Sequence, residues 1–150
     1  MGTEERYECM KLENQLCFPL YACAKEVVRR YRPLLDELGI TYTQYITMMV
    51  LWEHRSMSVK DIGEILCLDS GTLTPLLKKL EEKGYIVRRR DDDDERILVA
   101  SVTEKGLALR DKAVNIPREI ASCIPLQAKD AIELARILNE LKKNLSTNSE

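Results

Sequence analysis

The sequence predicts a mainly α-helical fold with one small β-hairpin, and three observations carry that expectation. Leu73, Leu76, Leu77 and Leu80 recur at helical spacing between Asp69 and Gly84, while Gly71, Thr74, Pro75 and Lys78 occupy the opposite side of the same helix. Leu134, Leu138, Leu141 and Leu145 repeat at spacings near a heptad in the last segment, about residues 127–145. Residues 85–90 and 97–102 are rich in strand formers and flank a polar tip, 91–95, as a hairpin requires. At 150 residues, 45% hydrophobic and 32% charged, the chain fits one domain with a real core.

Each element follows from local chemistry. From residue 12 to about 38 the pattern is helical, with Leu16, Leu20, Val27, Tyr31, Leu34 and Leu38 at spacings of three, four and seven, and Gly39 supplies the stop. Pro19 removes a donor and leaves the Gln15 carbonyl without a helical partner, so this helix begins close to Pro19 or bends there. Cys17 sits on that irregular turn. The next helix opens with Thr41 and Gln44 as a capping box and Ile40 stapled to Tyr45, and runs through Met48, Met49, Leu51 and Trp52. Ser58 caps a short third helix that ends near Leu66, with Asp61 in its first turn and Met57 set against Ile62.

A tight connection, Cys67-Leu68-Asp69, then leads into the helix that ends at Gly84, which is helix-turn-helix spacing. Asp69 or Ser70 as cap keeps that turn short; Thr74 as cap with Pro75 at the first helical position is also legal. With the hairpin behind it, the whole is a winged helix-turn-helix. Thr103 starts a further helix carrying Ile116 and Ile120, with a kink expected at Pro117, and Pro125 separates it from the last helix. The expected division is a winged helix-turn-helix part at about 41–106 between N- and C-terminal dimerisation helices at about 12–38 and 107–146. The terminal helices have no large apolar partner left in so short a chain, so a second copy is the expected cover; an intramolecular bundle with the first long helix is the alternative.

Composition narrows the function classes. Net charge is −2 with a pI near 5.6, and residues 69–96 hold seven Lys and Arg against eight acids, so any nucleic-acid contact depends on segregated charge. No apolar run reaches the roughly 20 residues that span a bilayer, and a cytoplasmic location is the default. Five singly placed cysteines, Cys9, Cys17, Cys23, Cys67 and Cys123, with one histidine, fit neither zinc spacing nor a disulfide framework. They read as inert thiols or a sensing thiol. No cofactor and no metal are expected; the aspartate run 91–94 lacks a second ligand cluster.

The helix at 69–84 has the surface needed to enter a groove of duplex DNA. Ser70, Gly71, Thr72, Thr74 and Pro75 are small enough for backbone and side chains to approach phosphates and base edges, and Lys78 and Lys79 behind them reach phosphate. Arg88, Arg90 and Arg96 serve the duplex if the hairpin turns them towards it and Asp91 to Asp93 away. Two such helices held one helical turn apart imply a homodimer on a pseudo-palindromic operator.

Leu68 to Leu80, then Asp94-Glu95-Arg96 and Ser101-Val102-Thr103-Glu104-Lys105-Gly106, resemble the MarR family of winged-helix repressors. Leu12-Glu13-Asn14-Gln15-Leu16-Cys17-Phe18 with Leu20-Tyr21, and Leu38-Gly39-Ile40-Thr41-Tyr42-Thr43-Gln44-Tyr45, are similar to its organic-hydroperoxide-sensing OhrR branch and the staphylococcal oxidation-sensing relatives. The resemblance implies that Cys17 is the peroxide-reactive thiol, that Tyr31 and Tyr42 hydrogen-bond it, and that Cys123 of the other subunit, or a small thiol, resolves its sulfenic acid. It also implies that Arg96 enters the minor groove with Asp94 orienting it. A helix N-terminus and two hydroxyl donors favour the thiolate at Cys17. Cys9 is expected in a frayed end, Cys23 and Cys67 in packing positions. Two other classes share some of these features: a repressor of this fold controlled by a non-covalent ligand, and a thiol peroxidase, whose surrounding motifs are absent.

Overall fold

The structure, a computed structural model, describes residues 3–147. A short helix α1 (Thr3–Tyr7) and two 3-10 turns (Glu8–Met10 and Leu12–Asn14) precede the long helix α2 (Cys17–Asp36). Then follow α3 (Tyr42–His54), β1 (Ser56–Ser58), α4 (Val59–Leu66), α5 (Ser70–Glu82), β2 (Ile86–Arg90), β3 (Leu98–Val102), α6 (Glu104–Ala113), α7 (Ile116–Cys123) and α8 (Ala128–Thr147). The expected mainly helical chain with a hairpin wing is the observed one.

Side-chain caps set the starts of α3, α4, α5 and α6. Thr41 Oγ1 accepts from the Gln44 amide at 3.3 Å while Gln44 Oε1 accepts from the Thr41 amide at 3.0 Å, the full capping box. Ser58, Asp69 and Thr103 each accept from the backbone N–H three residues on, at 3.1, 2.7 and 3.1 Å. Such a cap is worth about 1 kcal/mol, and it also fixes where the chain turns. Gly39 (φ 66°) and Gly84 (φ 79°) close α2 and α5 in the left-handed region, where any other residue is strained.

The first long helix begins at Cys17, close to Pro19 as expected, and residues 12–14 form a separate 3-10 turn. Two differences from the expected elements have physical reasons. The helix expected to kink at Pro117 is instead two helices. Pro117 has no N–H to give the Ala113 carbonyl, so α6 stops at Ala113 and Pro117 becomes the second residue of α7. Strand β1 exists only through pairing. Its three residues register on β3, Ser56 with Ser101 and Ser58 with Val99, giving the antiparallel order β1-β3-β2.

Two hydrophobic clusters divide the interior. One belongs to the winged helix and contains Met48, Leu51, Ile62, Leu73, Leu77, Leu80, Ile86 and Ala100. The other joins the end of α2 to α3, α6 and α7 through Leu35, Ile40, Tyr45, Leu109, Ile116 and Ile120. Trp52 and Tyr85 pack against both. Every residue of α8 through Ser146 is exposed in the single chain, so α8 does not form the intramolecular bundle. Its leucines Leu134, Leu138, Leu141 and Leu145 are exposed, as are Leu12, Leu16, Phe18, Leu20 and Tyr21 towards the other end of the chain.

Candidate nucleic-acid interface and thiol centre

Asp69 decides the register of α5. Its carboxylate takes the Thr72 N–H, so the helix starts at Ser70 and the alternative start at Thr74 and Pro75 is not used. This choice buries Leu73, Leu76, Leu77 and Leu80 and leaves Ser70, Gly71, Thr72, Thr74, Pro75, Lys78 and Lys79 exposed together. Pro75 inside the helix cannot donate to the Gly71 carbonyl, which therefore stays available to an outside donor on the exposed face. The turn before α5 is tight because Gly63 lets it close. A Cβ there meets the Leu68 carbonyl oxygen at 2.9 Å, and the Leu68 N–H donates to Gly63 O at 3.0 Å. A glycine inside a short helical pattern was the signal for this contact, and sequence reasoning passed over it.

The wing uses its acids internally. Asp91 Oδ1 accepts from the amides of Asp93 and Asp94 at 2.9 and 3.1 Å, shaping the tip. Asp94 grips Arg96 with both oxygens, Oδ1 to Nε and Oδ2 to Nη2, each at 2.9 Å, while the Arg96 side chain stays 90% exposed. Those bonds hold the Asp94 carboxyl below its ordinary range and raise the guanidinium. Arg90 Nη1 donates to the Arg96 carbonyl at 3.4 Å. Among the described residues no group of three His, Cys, Asp or Glu is arranged to hold a metal ion.

Arg88, expected to serve the duplex if the hairpin turns it there, is paired within the chain. Its guanidinium is half-buried against Glu81 of α5, with Nη2 to Oε2 at 3.0 Å and Nε to Oε2 at 3.2 Å, and its amide donates to Oε1 at 2.8 Å. The Arg88 bonds hold the Glu81 carboxyl below its usual value. An arginine facing a carboxylate of the preceding helix satisfies its charge there. Arg88 thus fixes the wing to α5.

The thiols are also placed differently from expectation. All five are exposed, so Cys23 and Cys67 are not packing residues; Cys67 caps α4 with a left-handed φ of 54°. Cys9 lies in the ordered 3-10 turn Glu8–Met10. Cys17 is the first residue of α2 and faces solvent. Tyr31 and Tyr42 do come together, with ring centroids 4.9 Å apart, and Tyr45 joins them at 5.8 and 6.5 Å. Burial first, then the neighbouring Tyr42, pushes the Tyr31 hydroxyl above the ordinary tyrosine range. Cys17 is not part of this cluster. It shares α2 with Tyr31, and from residue 17 to residue 31 an α-helix rises about 21 Å. Cys123 ends α7, whose Ile116 and Ile120 share the tyrosines' hydrophobic cluster, as does the adjoining Ile124.

Residues 29–113 match the family of SarA/Rot transcriptional regulators. The chain belongs to this MarR-like winged-helix family. It is 48% identical to the organic hydroperoxide resistance transcriptional regulator of Bacillus subtilis over 142 residues, 95% of this chain and 97% of that one. Among solved structures it resembles reduced AbfR bound to DNA, with a TM-score of 0.80 and 34% identity over 97% of this chain and 99% of that one. It also resembles disulfide-formed AbfR, with a TM-score of 0.66 and 34% identity over 99% of this chain and 100% of that one. AbfR is from Staphylococcus epidermidis. This MarR-like regulator is accordingly a DNA-binding transcription factor and not an enzyme, and regulators of its family are dimeric. No described helix is long and apolar enough to cross a membrane.

Proposed function

We propose that the protein is a homodimeric cytoplasmic repressor that releases a pseudo-palindromic operator when an organic hydroperoxide oxidises Cys17. One observation carries the reading. The tyrosine pair and Cys123 adjoin one cluster, while Cys17 is about 21 Å from Tyr31 along its own helix. A two-fold dimer brings the first turn of one α2 to the tyrosines of the other, and the exposed apolar faces of α2 and α8 are the surfaces such a dimer buries.

The chemistry is two-electron thiol oxidation. The Cys17 thiolate attacks the terminal oxygen of the hydroperoxide, the O–O bond breaks, the alkoxide leaves as the alcohol after taking a proton, and Cys17 becomes the sulfenic acid. Cys123 of the other subunit then attacks that sulfur and water departs, leaving a disulfide; a small thiol does the same where Cys123 does not reach. Tyr31 and Tyr42 hydroxyls donate to the sulfur. On DNA, Ser70, Gly71, Thr72, Thr74 and Pro75 approach the major groove, Lys78, Lys79 and Arg90 meet phosphates, and Arg96, set by Asp94, enters the minor groove. Arg88 acts through Glu81 on the angle of the wing. The winged helix-turn-helix part, about 41–106, and the dimerisation helices, about 12–38 and 107–146, then divide output from sensing.

The deciding experiment is fluorescence anisotropy on a duplex selected from random DNA by the reduced protein, before and after cumene hydroperoxide. Cys17→Ser is expected to bind like the wild type and ignore the oxidant. Oxidant-driven release of that variant overturns the reading. On a non-reducing gel, Cys123→Ser is expected to lose the oxidised covalent dimer.

A further inference from the structure

Trp52 and Tyr85 have side chains packed against both hydrophobic clusters, and each is hydrogen-bonded to a neighbouring element, Trp52 through its indole and Tyr85 through its backbone. Trp52 of α3 donates from Nε1 to the Gly106 carbonyl of α6 at 2.8 Å, and its ring meets Tyr45 edge-on with centroids 6.2 Å apart. Tyr45 in turn touches Tyr31 and Tyr42. An unbroken row of rings therefore runs from the tyrosine pair to the winged helix.

At its far end the row meets the exit of α5. Tyr85 follows that helix at once: its N–H donates to Leu80 O at 3.0 Å, and its carbonyl accepts from the Thr103 N–H at 3.0 Å. Gly106 sits so close that a Cβ on it lies 2.2 Å from the Tyr85 carbonyl oxygen. There is no slack between Trp52, Gly106 and Tyr85. A second tie runs parallel to the first. Lys83, at the end of α5, donates to Gly39 O on the corner that leads to Thr41 and Tyr42, and Lys105 donates to Lys83 O at 2.7 Å while its ammonium stands 5.2 Å from the Tyr85 ring centroid.

We propose that Trp52 is the positioning residue that couples the thiol centre to DNA binding, through its bond to Gly106, which packs directly on the Tyr85 backbone at the exit of α5. This rests on the reading of Cys17 as the sensor. Close-packed interiors shift between discrete arrangements rather than deform continuously, so a change at Tyr31 and Tyr42 must move Tyr45 and then the indole. The indole cannot follow without leaving Gly106 O or carrying α6 and Tyr85 with it. Either way the end of α5 is re-set, and with it the spacing of two recognition helices across a dimer.

Trp52→Phe keeps a ring in the row and deletes the N–H. Its reduced form is expected to bind the selected duplex within about threefold of wild type and to lose its Cys17 thiol to cumene hydroperoxide at the wild-type rate. Oxidation is expected to weaken wild-type binding by about tenfold or more and the variant's by less than about threefold, since coupling of this kind typically spans about 5- to 150-fold. Equal factors in the two proteins overturn the proposal. If oxidised wild type fails to release DNA at all, the sensor reading fails first, which separates the two failures. Trp52 is the single tryptophan of the chain, so its emission is a second measurement that needs no substitution at that site. Its emission is expected to shift on oxidation together with DNA release and to stay constant in Cys17→Ser. Unchanged emission in oxidised, released wild type overturns the proposal even if Trp52→Phe does not fold.

Discussion

Leu73, Leu77 and Leu80 of α5 are at most 1% exposed, whereas Leu134, Leu138 and Leu141 of α8 keep 37–44% of their surface in water. Both sets are leucines on one stripe of a helix. The difference is what lies opposite: α5 is covered by α3, α4 and the sheet of its own chain, and α8 by nothing in its own chain that buries it. An apolar stripe therefore marks which face seeks cover and leaves open who supplies it. The winged helix is finished within one chain. The terminal helices leave their apolar stripes exposed in the single chain.

The contrast breaks most sharply through the leucines themselves. Leu77→Ala is expected to lower the stability of the fold by about 2–5 kcal/mol, read by urea or thermal denaturation, because its neighbours cannot collapse into the space. Leu138→Ala is expected to leave the winged helix folded and instead to raise the dimer dissociation constant. Each two-fold interface loses the residue twice, and full burial of one leucine is worth about 1.5–3 kcal/mol, so sedimentation should show a rise of at least about tenfold. A denaturation midpoint that drops as far in Leu138→Ala as in Leu77→Ala, independent of protein concentration, contradicts the division.

How much could be read beforehand follows the same line. The starts of α3, α4 and α5 were legible because Thr41, Ser58 and Asp69 bond within their own first turns. Strand β1 was not, since Ser56-Met57-Ser58 has no pattern of its own and is a strand only beside β3. Nor was the partner of Arg88: three arginines in a row look alike in sequence, and only the fold places Glu81 under one of them. The family resemblance named Cys17, Tyr31 and Tyr42 together. That Cys17 and Tyr31 share α2, with about 21 Å of helix between them, was implicit in the spacing all along, yet a list of residues does not say which of them can meet within one chain.

Within the wing a smaller comparison can be sharpened by pH. The Arg88 bonds depress the Glu81 carboxyl below its ordinary 4.5, so the pair's contribution to stability is complete above that value and is lost as pH falls through the folded value. The pair is partly exposed, which screens it. Glu81→Gln is expected to cost under about 1 kcal/mol at pH 7, by urea denaturation, and the difference from wild type should shrink towards zero well below pH 4.5. A difference that persists in acid assigns Glu81 a purely steric role.

Arg96 is the opposite case, an arginine held by a carboxylate yet left in solvent. Since the pair is exposed, its removal is expected to leave the denaturation midpoint unchanged, and the consequence falls on DNA alone. Arg96→Ala should weaken binding and reduce the slope of log affinity against log salt by about 1, the loss of one phosphate-scale contact. Asp94→Asn keeps the Arg96 charge and one acceptor while surrendering the bidentate grip. It should preserve the salt slope and lose affinity by a smaller factor, because the cation is still attracted to the groove but is no longer pre-set in it. A loss in Asp94→Asn equal to that in Arg96→Ala, with an altered slope, means that the carboxylate shapes the whole wing tip; no loss means that Arg96 finds its position without help.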